Sequence, residues 1–179
     1  MSRNIKQLTT LNISWSSIGE RGALAIADNL RQLTTLDISG NGIGENGALA
    51  IANSLRQLTT LNILDNGIGE KGALAIADNL TQLITLNISW NIIGEKGALA
   101  IAYKLRSLNT LNISGNSIGD ASALVIADNL KQLTSLFIGT AFELLRAQQP
   151  VAVLHDPAPT ETPSHFHRRL IQYSERVSY

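Results

Sequence analysis

One phrase recurs at residues 8, 33, 58, 83, 108 and 133: "LTTLNIS", "LTTLDIS", "LTTLNIL", "LITLNIS", "LNTLNIS" and "LTSLFIG". The spacing is 25 residues every time, and residues 33–57 differ from residues 58–82 at only seven positions, so chance is excluded. A fixed period of this size means a stack of like units, each too small to bury its apolar face alone and each completed by its neighbours. Within the phrase, Leu11 and Ile13 alternate with Thr10, Asn12 and Ser14, which reads as a short strand with one buried and one wet face. A doubly wound sheet, covered on both sides, would read instead as nearly continuous Val, Ile and Leu. Farther on, "GALAIADNL" at 22–30 puts Ala23, Ile26, Ala27 and Leu30 on one helical stripe. The alanines let such a helix approach the sheet closely. Strand, turn and helix close within 25 residues, tighter than the ~30 of an ordinary strand-helix-strand unit.

The full frame, L-x-x-L-x-I-x-x-N-x-I-G-x-x-G-A-L-A-I-A-x-x-L, resembles the leucine-rich repeat. Its Gly-Ala-Leu-Ala helix start makes it look most like the GALA-type repeats, related to the ribonuclease-inhibitor-like class. The resemblance covers residues 8 to about 139. It implies an α/β fold: a right-handed leucine-rich-repeat solenoid, a horseshoe segment with parallel strands on the concave face and helices on the convex face. On this reading residues 1–7 are a short lead and 8–141 the solenoid, with five full repeats and a partial sixth. Residues 142–149 are expected to form a capping helix, and 150–179, which hold every proline and histidine, a flexible tail with a short helix near its end.

Asn41, Asn66, Asn91 and Asn116 share one column just after the strands. The resemblance implies a ladder, each side-chain amide bonding backbone groups of neighbouring turns. The physical need is plain: a tight buried turn orphans backbone donors and acceptors at about 1–3 kcal/mol each, and asparagine carries both partners. Ser16 and Ala141 stand in this column at the two ends, as befits atypical terminal units. Another column, Gly22, Gly47, Gly72 and Gly97, opens the helices and is expected to permit a close approach or an unusual dihedral, though Ser122 replaces it once.

Several features imitate chemistry. Gly42-x-Gly44-x-x-Gly47, with Asp65 near the end of the next strand, matches a dinucleotide-binding fingerprint. The pattern then fails in register, with Ser17, Ile92 and Ser117 in place of its first glycine. A cofactor site is built once, so glycines present in every unit are turn geometry, and no cofactor is expected. His155, His165 and His167 surround a proline-rich stretch with no rigid scaffold, so no metal site is expected either. With all histidines outside the repeats, no catalytic grouping can be assembled. The acids Glu20, Glu45, Glu70, Glu95 and Asp120 form a column at the helix starts, where they complement the helix dipole. Three sequons, beginning at Asn12, Asn87 and Asn112, are by-products of the repeat and are expected to be unmodified. Fourteen basic residues balance fourteen acidic ones and cysteine is absent. That balance argues against nucleic acids and acidic membranes as partners, and no apolar run suggests a signal peptide. A cytoplasmic location is expected, with a secreted effector lacking a standard signal as the alternative.

The wet strand face is the candidate site. Its columns are Thr10, Thr35, Thr60, Thr85, Thr110 and Ser135; Asn12, Asp37, Asn62, Asn87, Asn112 and Phe137; and Ser14, Ser39, Leu64, Ser89, Ser114 and Gly139. Trp15, Leu64, Asp65, Trp90 and Phe137 break the monotony at positions expected to be exposed, and aromatics are typical interface anchors. Six strands at ~4.8 Å with ~13 Å of exposed length give roughly 370 Å², below the roughly 800 Å² per partner of a standard interface. Binding therefore has to recruit the loop edges as well. The expected function is a non-catalytic protein-protein interaction module with a protein partner and no small-molecule substrate. An enzyme regulator of the GTPase-activating or inhibitor type, and a duplication fragment with little function of its own, remain as alternatives. Secreted GALA-type effectors pair such repeats with an F-box; the seven residues before the first repeat do not carry that role over.

Overall fold

A computed structural model of the chain describes residues 7–139 and 152–154. The lead over 1–6, the expected capping helix at 142–149 and most of the expected tail lie outside the described residues. Six strands alternate with five helices: β1 Thr10–Asn12, α1 Gly19–Asn29, β2 Thr35–Asp37, α2 Gly44–Ser54, β3 Thr60–Asn62, α3 Gly69–Asn79, β4 Thr85–Asn87, α4 Gly94–Lys104, β5 Thr110–Asn112, α5 Asp120–Asn129 and β6 Ser135–Phe137. A further short strand, β7 (Ala152–Leu154), pairs parallel to β6. No strand was expected there from the sequence. All the strands lie side by side in chain order in one parallel sheet. Register follows the repeat: Leu36 pairs with Leu61, Leu61 with Leu86 and Leu86 with Leu111.

Between sheet and helices runs a continuous core. One coil shows its make-up: Leu36, Ile38, Ile43, Ala48, Ile51, Leu55 and Leu58 have no solvent exposure. The first coil has a neighbour on one side only among the described residues, and its Leu11, Ile13 and Ile18 are correspondingly half-buried. The helix-opening glycines do not need a special dihedral; they need space. A Cβ on Gly47 would lie 2.9 Å from Ile43 Cβ and 3.0 Å from Ala23 Cβ of the preceding helix, and Gly72 and Gly97 repeat the 3.0 Å contact with Ala48 and Ala73. Ion pairs between coils stitch the outer face, with Lys71 Nζ 3.0 Å from Glu45 Oε1 and Lys96 Nζ 3.5 Å from Glu70 Oε1. Lys104 reaches Asp78 in the same manner. These groups are well exposed, so each adds little stability.

The turn from strand to helix holds the coils in register. Asn66 Oδ1 accepts from Asn41 N (3.1 Å) and Ile43 N (3.4 Å) of the coil before, while its Nδ2 donates to Ile38 O, Ile63 O and Leu64 O. Its backbone carbonyl accepts from Gly44 N at 2.9 Å. Gly44, with φ +66, begins α2, which has no side-chain N-cap. The next coil thus does the capping. Asn41, Asn91 and Asn116 make the same set of side-chain bonds in their own turns. In the fifth coil the sequence offers Ala141 as the following rung, and there Gly119 takes an extended conformation (φ −76°, ψ 164°) and α5 begins a residue later.

Two outcomes test this account. Asn66→Ala should lose at least ~3 kcal/mol, since it strands several buried groups at about 1–3 kcal/mol each. Asn41→Ala should cost less, because its Oδ1 serves Ser16 N and Ile18 N, which are only part-buried. Urea denaturation of both variants measures the difference. Ile92, a β-branched residue held at φ +56° and 76% exposed, occupies the position of Gly42 and Gly67. Ile92→Gly should therefore raise the unfolding free energy by about 0.5–1 kcal/mol, relief of left-handed strain outweighing the added chain entropy.

Candidate functional site

On the strand face, alternation holds for the length of each strand and then stops. Thr35, Asp37, Thr60, Asn62, Thr85, Asn87, Thr110, Asn112 and Phe137 are half-buried with their side chains on the wet face, and Thr10 and Asn12 at the open end are exposed. The third column is different. Ser39, Ser89 and Ser114 are buried, and Leu64, expected on the surface, is only 7% exposed and belongs with the core. The reason is local: the chain leaves the extended conformation after the strand and folds into the turn, so the period of two no longer governs. Leu64 is accordingly withdrawn from the candidate site.

The middle column has a structural duty that the sequence did not advertise. Asp37 Oδ1 accepts from Ser39 N (3.1 Å) and Ser39 Oγ (2.7 Å), closing a small side-chain turn at the strand exit. Asn12 with Ser14, Asn87 with Ser89 and Asn112 with Ser114 do the same. Asn62 can bond only the backbone of Leu64, at 3.3 Å. One oxygen of each side chain is thereby committed. What remains for a partner is the amide NH2 of the asparagines and the second oxygen of Asp37. The Asx-x-Ser spacing, present in four coils, is the signal that could have revealed this arrangement.

The edge where strands become turns carries the larger side chains. Trp15 (φ +56°), Asp65 (φ +50°) and Trp90 (φ +58°) share one column with Gly40 (φ +64°) and Gly115 (φ +67°). Bulky residues in the left-handed region are outliers, and here the bonded turn imposes the conformation. Each indole lies across the glycine of the next coil. A Cβ on Gly40 would come within 2.2 Å of Trp15 Cε3, and one on Gly115 within 2.6 Å of Trp90 Cδ2. Trp15 is 45% exposed, Trp90 is half-buried and Asp65 is exposed. Phe137 stands apart, in register with Asn112 on the strand face.

Among the described residues no group of His, Asp and Glu is placed to hold a metal ion, and no helix is long and apolar enough to cross a membrane. Gly42, Gly44 and Gly47 open a turn whose amides Asn41 N, Ile43 N and Gly44 N are all taken by Asn66. A phosphate would need such amides free. The glycines here serve the coil.

A family profile described as "Leucine Rich repeat" matches residues 6–27, 29–52, 54–77, 79–102 and 104–127. A search of curated proteins finds no match to the chain.

The indole-on-glycine contact can be checked directly. Gly40→Ala and Gly42→Ala both force alanine into a left-handed conformation, at about 1 kcal/mol each. A Cβ on Gly42 meets nothing within 4 Å, whereas one on Gly40 collides with Trp15. In a Trp90→Phe background, only Gly40→Ala should shift Trp15 fluorescence to longer wavelength. Equal emission from the two variants would contradict the contact.

Proposed function

Since the chain belongs to the leucine-rich repeat family, whose repeats generally serve as protein-protein interaction scaffolds without catalysis, we propose that this protein binds a protein partner through its strand face and the adjoining turn edge. The observation that carries the reading is the concentration of uncommitted groups there. Asn62, Asn87 and Asn112 hold their side-chain oxygens locally, which leaves their amide NH2 groups facing outward in a regular row. Thr10, Asn12, Thr35, Asp37, Thr60, Thr85, Thr110 and Phe137 complete the face, and Trp15, Asp65 and Trp90 line the edge. The strand face alone is smaller than a standard interface. The edge residues add area and the aromatic anchors.

On the helix side Glu45 and Glu70, in the first turns of their helices, and Asp78, in the last turn of α3, pair with lysines one coil on, a structural arrangement. We assign the repeats to the GALA-type subclass on the Gly-Ala-Leu-Ala helix starts at 22–25, 47–50, 72–75 and 97–100.

A partner captured from the source cells should lose about 30-fold in affinity with the Trp15→Ala/Trp90→Ala double variant, the size of a typical anchor residue. Asn62→Arg, which plants bulk and charge mid-face, should weaken it likewise, by titration calorimetry with the purified pair. Full affinity in both variants would place binding elsewhere on the chain.

A further inference from the structure

The turn edge has an order to it. Trp15 N donates to Ser39 O, Gly40 N to Leu64 O, Asp65 N to Ser89 O and Trp90 N to Ser114 O, so the column from Trp15 to Gly115 is a row tied coil to coil. Its spacing is that of parallel strands, ~4.8 Å. Each indole leans over the following glycine. Along the row the Trp15 indole therefore covers Gly40, the neighbour of Asp65, while Trp90, on the other side of Asp65, leans away from it over Gly115. The Asp65 side chain is exposed and makes no hydrogen bond or ion pair among the described residues.

Charge is distributed unevenly around the coil. Among the described residues the strand face and this edge hold Asp37 and Asp65 and no Lys or Arg. The cations lie on the helices, as Lys71 and Lys96 do, or just after them, as Arg56 and Arg106 do. Among the described residues no cation on the strand side competes for the Asp65 carboxylate or repels an incoming cation.

We infer that Asp65, with the Trp15 indole laid across Gly40 one coil before it, is a seat for a cationic side chain, a lysine or arginine presented by an extended segment of a protein partner. The inference rests on the protein-binding reading above and specifies the chemistry of its partner. An exposed ion pair alone would be worth little. The Trp15 plate changes that, since a cation within about 6 Å of an indole face gains from the ring quadrupole, and a guanidinium stacks on it. Gly40, which the Trp15 indole covers, stands one coil spacing from Asp65, so a cation paired with Asp65 lies inside that range of this plate. Ile92, two residues beyond Trp90 and 76% exposed, offers an apolar rim for the aliphatic stem of such a side chain.

A phage-displayed library of random dodecapeptides, selected on the full chain, tests the seat. Selected peptides should be enriched in Arg and Lys, and should lose about tenfold in affinity on Asp65→Asn, a substitution the left-handed backbone accepts, and on Trp15→Ala. Peptides without a cation excess, or indifferent to Asp65→Asn, overturn the seat; if they still lose binding on Asn62→Arg, the strand-face reading stands. Recovery of no peptide that depends on residue 62 or on residue 65 overturns both. A tenfold gain in peptide affinity on Arg168→Glu/Arg169→Glu would show that the chain's own tail occupies the site, and would overturn the assignment to a partner.

Discussion

Every coil depends on the one after it for the hydrogen bonds of its tightest turn. The chain passes from strand to helix in a few residues, with Gly40 and Gly44 left-handed, and so leaves its amides aimed along the stack with no partner in their own coil. The asparagine of the next coil answers three of them: Oδ1 takes Asn41 N and Ile43 N, and the main-chain carbonyl takes Gly44 N. Its amide nitrogen then ties back to Ile38 O of the earlier coil. A buried donor left unmet costs about 1–3 kcal/mol, more than the ~1 kcal/mol that a typical hydrogen bond contributes. The strict period follows, because an inserted or deleted residue would move the asparagine out of reach of the amides it serves.

That dependence also governs the other contacts. Fixed coil spacing brings each helix against the last, near enough that Gly47, Gly72 and Gly97 meet Ala23, Ala48 and Ala73. It seats Trp15 on Gly40 and Trp90 on Gly115. The same imposed conformation carries residues poorly suited to it, Ile92 above all, and these cluster at the turn edge next to the strand face. Strain tolerated where side chains are displayed outward is consistent with a surface shaped for contact.

Most of the fold was legible because its signals are periodic and local. The recurring Leu-x-Ile alternation marked the strands, the alanine stripe marked the helices, and the Asn41 to Asn116 column marked the buried turns. The candidate site was less legible. Ser39, Leu64, Ser89 and Ser114 read as a third outward column, yet the chain has already turned inward there, and a strand of three residues is too short for alternation to show where it ends. The three Asn-x-Ser sequons read as by-products of the repeat, and in the structure their asparagines close strand-exit turns.

The sequence by itself determined the architecture: a 25-residue period with one apolar stripe per element admits no arrangement that buries both stripes except stacking. It also set the chemistry of the display, polar and aromatic. Only the tertiary structure decided how those residues are displayed at the turn edge. Trp15 and Gly40 are 25 residues apart in the chain, and nothing local says that the indole lies across that glycine instead of standing free. Asp65, which has no ion pair among the described residues, comes beside the Trp15 plate over Gly40 only once the coils are spaced by the ladder. The reason is physical: hydrophobic burial is non-directional and readable from pattern, whereas side-chain orientation at a turn is set by hydrogen bonds donated between coils.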